Sequence, residues 1–76
     1  MVIGVTMINV APGSEKSVYL KIKEMKYVRE IYHVFGEFDF VVIIEAPSLS
    51  ELNKTVDSIR SVNGVTKTQT VVGAEI

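Results

Sequence analysis

The sequence predicts an α+β domain whose elements follow the order strand, helix, strand, strand, helix, strand. Four segments are rich in Val, Ile, Thr and aromatic residues, which favour strands. Two charged segments between them carry apolar residues at helical spacing. Because 76 residues leave room for only one core, residues 1–76 are expected to form a single domain.

The chain begins with a predicted strand and helix. Residues 2–11 carry no charge and stop at a Pro-Gly-Ser turn, which favours a buried strand. A helix is expected over about residues 14–25, with Ser14 suited to its N-cap. Its apolar face consists of Val18, Ile22 and Met25.

Two further strands are expected to form a hairpin. Residues 27–35 interleave β-branched and aromatic residues with polar ones, and residues 38–46 are more densely apolar. Only Gly36 and Glu37 separate them. Since glycine takes positive φ freely, a two-residue type II′ turn is predicted there.

A second helix and a last strand complete the chain. Ser48 and Glu51 have the spacing of a capping box, and the helix is expected to end near Asn63 and Gly64. Thr- and Val-rich residues 65–72 predict the closing strand. The apolar face of this helix consists of Leu49, Leu52, Val56 and Ile59.

This order is that of ferredoxin-like βαββαβ domains. Right-handed crossovers place the first and third strands at the centre of an antiparallel four-stranded sheet. The second and fourth strands then form the edges, and both helices cover one face.

The strands are apolar on both sides, although a sheet covered on one face should alternate apolar and polar residues. One side of the third strand carries Phe38, Phe40, Val42 and Ile44, and the other side carries Val41 and Ile43. The first strand is similar, with Ile3, Val5 and Met7 opposing Val2, Ile8 and Val10. Burying ~600 Å² of apolar surface contributes on the order of 15 kcal/mol before entropic costs. A homo-oligomer formed through the sheet is therefore expected, unless helix ends cover some of these residues.

Composition excludes several functional classes. With no cysteine and one histidine, disulfides and structural zinc or iron–sulfur sites are not expected, and no cofactor or metal is predicted. Eight basic and nine acidic residues give no excess of positive charge of the kind that binds nucleic acid. No apolar run approaches the ~18 residues of a membrane helix, and the first residues lack the basic region of a signal peptide. A cytoplasmic location without membrane contact is expected.

Three motifs resemble the effector-binding domain of the Lrp/AsnC (feast/famine) transcriptional regulators. They are a Val28-x-x-x-Tyr32 run, a Gly36-x-Phe38-Asp39 hairpin with Phe in place of the commoner Tyr, and Gly64-Val65-x-x-Thr68-x-Thr70 in the last strand. The resemblance implies dimers with sheets packed face to face, a dimeric α/β-barrel arrangement. It further implies octamers or decamers with a small amino-acid effector bound between dimers.

Full members of that family carry an N-terminal helix-turn-helix domain, whereas this sequence begins at the first strand of the effector domain. The chain therefore resembles a stand-alone RAM (regulation of amino-acid metabolism) domain. It is expected not to bind DNA itself and to act through a DNA-binding family member.

An amino-acid ligand needs an acceptor for its ammonium, donors for its carboxylate and apolar walls. The hairpin can supply turn amides and a carboxylate acceptor, the last strand can supply hydroxyls on one face, and two aromatic rings can supply walls. The candidate ligand-binding residues are Gly36, Glu37, Phe38, Asp39, Thr68, Thr70 and Tyr32.

Other interpretations stay open. The candidate residues could serve only the turn and the strands. The chain could be a small enzyme in which His33 or Tyr32 performs acid–base chemistry, or an assembly module without a ligand. Since no second polar group stands at motif spacing from His33, no catalytic residue is predicted and the chain is not expected to be an enzyme. Arg29 and Arg60 are expected to be solvated or paired with glutamates such as Glu30 and Glu51.

Overall fold

The computed structural model describes residues 1–73, so the last three residues of the predicted domain lie outside the described part. The predicted α+β fold class and βαββαβ order are confirmed. The elements are β1 (Val2–Val10), α1 (Glu15–Lys23), β2 (Val28–His33), β3 (Phe40–Ala46), α2 (Leu49–Arg60) and β4 (Val65–Val72).

The four strands form one antiparallel sheet in the order β2-β3-β1-β4. The central strands β1 and β3 pair from Val2 opposite Ala46 to Ile8 opposite Phe40. The predicted strand order is therefore confirmed. A bulge interrupts the pairing of β2 with β3 between Val28 and Glu30.

Both helices pack on one face of the sheet and enclose the core. The residues on β1 and β3 that face the helices have even numbers, because side chains alternate along a strand. The buried apolar side chains are Ile8, Val10, Val18, Ile22, Phe40, Val42, Ile44, Ala46, Leu52, Val56 and Ile59. Leu49, expected on the buried face of α2, is instead 52% exposed, since it is the first helical residue and lies beyond the edge of the core.

The helix caps differ from each other. Ser48 Oγ accepts a hydrogen bond from the Glu51 amide at 3.2 Å, which confirms the predicted N-cap of α2. Ser14 holds the N-cap position of α1, but its side chain makes no capping bond. It lies instead against Gly64, where an added Cβ would come within 2.8 Å of Ser14 Cβ. Gly64 also has φ +104°, so both space and backbone conformation favour glycine at this turn.

The connection between β2 and β3 is longer than predicted. β2 ends at His33 and β3 begins at Phe40, so residues 34–39 form a six-residue β2–β3 loop, and the expected two-residue turn is wrong. Within this loop, the Asp39 carbonyl accepts from the Val34 amide at 2.9 Å and the Asp39 amide donates to Ile8 O of β1 at 2.9 Å, so the hairpin pairing continues one step beyond β2 and β3. Gly36 does adopt positive φ, +125°, as predicted.

Candidate functional site

The side of the sheet opposite the helices, called the open face below, is apolar and uncovered. Val5, Met7, Val41 and Ile43 form its centre and are half-buried within the chain. Its outer apolar members are Ile3, Tyr32 and Val71, which are 38%, 51% and 53% exposed. The predicted second apolar face of the sheet is thus confirmed.

Charged and polar groups ring the open face. The guanidinium of Arg29 donates to the Glu45 carboxylate, so its partner is not the expected neighbour Glu30. Glu30 instead accepts a hydrogen bond from the Tyr32 hydroxyl. This bond, with smaller contributions from desolvation and from the negative charge of Glu30, raises the pKa of Tyr32 above its usual value.

The β2–β3 loop exposes aromatic side chains. Phe35 is 100% exposed. Phe38 was expected to point to the same side of the sheet as Phe40, which faces the helices, but its ring lies 5.6 Å from Nζ of Lys67. Lys67 pairs with Asn9 on the open-face side of β1. The prediction for Phe38 is therefore wrong, because strand alternation does not extend into the loop before β3.

Asp39 ties the β2–β3 loop to β1. Its Oδ2 accepts a hydrogen bond from the Val10 amide at 2.9 Å, and its backbone oxygen accepts from the Val34 amide at 2.9 Å. One carboxylate oxygen is thereby committed to the fold. The other oxygen, Oδ1, accepts no hydrogen bond from residues 1–73.

Thr68 and Thr70 share one face of β4, as predicted, and this face is the one toward the helices. They pair with Ile8 and Thr6, which are fully buried. Thr70 and Thr6 share a hydrogen bond of 2.9 Å between their hydroxyls. Thr68 Oγ1 accepts a hydrogen bond of 3.2 Å from Nε of Arg60 at the end of α2.

Within one chain, the candidate residues do not form one cluster, because Tyr32 lies on the open face and the two threonines lie on the side of the helices. Tyr32 lies on the edge strand β2, and the two threonines lie on the opposite edge strand, three strand spacings or roughly 14 Å across the sheet. Gly36 and Glu37 are exposed in the β2–β3 loop. A single chain therefore does not bring the seven residues into one pocket.

Beside the threonines, a cavity of about 460 Å³ lies between α2 and β4 and is called the α2–β4 groove below. Sequence reasoning missed Arg60, whose partners are Asp57, at 3.9 Å between Nη1 and Oδ1, and Thr68 rather than Glu51. The sequence did offer one signal for the pair with Asp57, because residues three apart on a helix are neighbours on its surface. The lining residues are Asn53, Val56, Asp57, Arg60, Thr70 and Val72.

Comparison with known proteins decides the family. Residues 2–74 match the family described as the Lrp/AsnC ligand binding domain. The chain belongs to this family. The family identified from the three sequence motifs is therefore confirmed.

Curated relatives of this Lrp/AsnC domain include regulators and part of an enzyme. An uncharacterised HTH-type transcriptional regulator of Pyrococcus furiosus is 45% identical over 51 residues, 67% of this chain and 34% of the regulator. A homocitrate synthase of Sulfolobus acidocaldarius is 41% identical over 54 residues, 71% of this chain and 12% of the enzyme. The chain thus spans about a third of that regulator. The likeness to the synthase concerns only a small segment of that enzyme.

Solved structures share the fold of this Lrp/AsnC domain. The crystal structure of FFRP-DM1 has a TM-score of 0.92 at 31% identity and covers 97% of this chain and 100% of its own. A transcriptional regulator of Neisseria meningitidis, solved as an L-Met complex, has a TM-score of 0.87 at 13% identity, covering 97% of this chain and 50% of its own. At that identity the second likeness shows the fold alone.

Two kinds of site find no support in residues 1–73. None of their helices is long and apolar enough to cross a membrane. No group of three or more His, Asp or Glu side chains among them could hold a metal ion.

Proposed function

We propose that the chain is a single effector-binding and oligomerisation domain that senses a small amino acid for transcriptional regulation. The observation that carries the proposal is the apolar open face on a member of a ligand-binding domain family. Contiguous apolar surface of this kind on a soluble domain marks a site of contact with a partner or a ligand. A ligand bound where copies meet can report on assembly.

The open face pairs with the open face of a second copy in this proposal. Val41 and Ile43 of β3 and Val5 and Met7 of β1 form the centre of the contact. The Arg29–Glu45 ion pair lies at its polar rim. The dimer is the basic unit, and octamers or decamers are built from it.

The amino-acid site forms between copies. The β2–β3 loop of one copy contributes Gly36, Glu37, Phe38 and Asp39 with the nearby Tyr32, and another copy contributes Thr68 and Thr70. Support comes from the separation of Tyr32 from the two threonines, which lie on opposite edge strands of one chain, since a second copy can bring them together. The L-Met complex of the Neisseria regulator shows that a protein of this fold can hold an amino acid.

Binding of the amino acid between copies changes their assembly, and this change is the regulatory signal. An effector that has higher affinity for one packing of dimers than for another shifts the assembly toward that packing. We assign DNA recognition to an HTH-bearing family member. The near-balanced charge of this sequence and the HTH-type relatives support that assignment.

The direct test combines calorimetric binding of each of the twenty amino acids with sedimentation of the protein, with and without any ligand that binds. Binding with a changed sedimentation coefficient is expected. Binding without any change in assembly would contradict sensing through assembly, and the absence of both binding and a change in assembly would favour an assembly module without a ligand. Turnover of a bound compound would indicate an enzyme instead.

The dimer contact has its own test. Ile43→Lys places a charge at the centre of the open face and is expected to shift the particle to the 8.4 kDa monomer in sedimentation. The control is Ser50→Lys on the exposed side of α2, which adds the same charge and should leave the assembly unchanged. An Ile43→Lys variant that sediments like the parent would refute pairing through the sheet.

A further inference from the structure

The α2–β4 groove has one cation among its lining residues, the guanidinium of Arg60, and one anion, the carboxylate of Asp57. Arg60 lies in the last turn of α2. Its Nε donates to Thr68 Oγ1 at 3.2 Å, so the side chain is fastened to the edge strand β4. Arg60 therefore stands beside the two threonines of the proposed amino-acid site.

Most hydrogen-bonding capacity of Arg60 is unused. A guanidinium has five N–H donors, and within residues 1–73 only the Nε donor has an acceptor. The carboxylate of Asp57 is 3.9 Å from Nη1, which is beyond hydrogen-bond distance. Since both side chains are largely exposed, this loose pair contributes little to stability.

Other cations near the site are already engaged. Arg29 is bonded to Glu45 at the opposite edge of the sheet. Lys67, the neighbour of Thr68 in sequence, points to the open face and lies over the Phe38 ring. Lys54 is 3.6 Å from Glu51 on α2. Arg60 is thus the cation best placed to meet an anionic group in the groove.

We infer that Arg60 is the carboxylate anchor for a ligand held in the α2–β4 groove. The planar guanidinium can receive both oxygens of a carboxylate through its Nη groups, which a lysine cannot do in the same geometry. The inference rests on the proposed amino-acid sensing and adds the positively charged contact that the seven candidate residues lack. Thr68 is a positioning residue that holds Nε while both Nη groups meet the ligand.

The test compares each amino acid that binds with its carboxamide, which lacks the carboxylate charge. In the parent protein the carboxamide is expected to bind about tenfold more weakly or worse. In Arg60→Gln the affinity for the free acid should fall by the same factor, so that the acid and the carboxamide bind with nearly equal affinity. Thr68→Val should reduce the difference between acid and carboxamide without abolishing it.

The matched control is Lys54→Gln, because Lys54 and Glu51 form a pair of the same sequence spacing on the same helix. This variant should retain the parent's preference for the acid. Far-ultraviolet circular dichroism of every variant checks that the fold is retained, which is expected because the Arg60 side chain is 61% exposed.

The outcomes separate this inference from the proposed function. If the parent binds an amino acid and Arg60→Gln keeps the full preference for the acid, the inference is overturned while amino-acid sensing stands. If the parent binds no amino acid but binds the matching 2-oxo acids, and Arg60→Gln abolishes this, the anchor stands and amino-acid sensing fails. If the parent binds neither class, both are overturned.

Discussion

Replacement of Asp39 by alanine is expected to lower the free energy of unfolding by about 1–3 kcal/mol. Asp39 Oδ2 accepts the hydrogen bond of the Val10 amide at 2.9 Å, and the Val10 residue is 9% exposed. Alanine removes the acceptor and leaves a backbone donor in a poorly hydrated place. The backbone bonds of residue 39 to Ile8 and Val34 need no side chain and can persist.

Urea denaturation at one fixed protein concentration measures this loss, since oligomerisation makes apparent stability depend on concentration. For a chain of this size each kcal/mol also lowers Tm by about 4–8 °C. Asp39→Asn keeps an oxygen acceptor and should retain most of the stability. Glu37→Ala, an exposed change in the same loop, should stay within about 0.5 kcal/mol of the parent. Equal effects of Asp39→Ala and Glu37→Ala would refute the reasoning.

The same variants separate the two roles of Asp39. A contact between the carboxylate and a ligand ammonium depends on charge, so both Asp39→Asn and Asp39→Ala would weaken amino-acid binding. Support of β1 depends on an acceptor oxygen, so it is lost in the alanine variant alone. Binding in Asp39→Asn equal to that of the parent would remove Asp39 from the ligand site.

Two further predictions concern a turn and a titration. Gly64→Ala should destabilise the fold by about 1 kcal/mol more than Gly13→Ala. Both glycines have positive φ, but only Gly64 has atoms close to the position of an added Cβ. Urea denaturation of the two variants measures the difference. The stabilising bond from Tyr32 to Glu30 should be present below the usual tyrosine pKa and lost as pH rises through the raised pKa of Tyr32. Glu30→Gln should therefore shift the ultraviolet titration of one tyrosine to lower pH, and coincident curves would contradict this.

Much of the fold follows from local patterns in the sequence. β4 has the predicted bounds because a Thr- and Val-rich segment after an Asn-Gly stop competes with no helical pattern. The loop before β3 could not be predicted in the same way. Its length depends on bonds from Asp39 to Ile8 and Val10, which are about thirty residues away in sequence. The alternation of side chains along a strand also predicted the wrong side of the sheet for Phe38, whose ring lies beside Lys67.

The candidate site was less accessible to sequence reasoning than the fold. That Thr68 and Thr70 share a face follows from strand periodicity, but which face they share depends on where α2 packs. Arg60 was missed because an exposed arginine near acidic neighbours is ordinarily a weak surface pair. Its contact with Thr68 joins the end of a helix to the next strand and appears only once both are placed.

The hydroxyl pair of Thr6 and Thr70 has a consequence for mispairing during folding. A slip of β4 by one residue would bring Gln69 or Val71 opposite Thr6, and in both cases Thr6 would lose its buried hydroxyl partner. A slip by two would bring Val72 there in one direction, again without a hydroxyl, but Thr68 in the other direction, which recreates the hydroxyl contact. The threonine pair thus disfavours every short slip except the one to Thr68, and the crowded turn at Gly64 favours the native frame over that one.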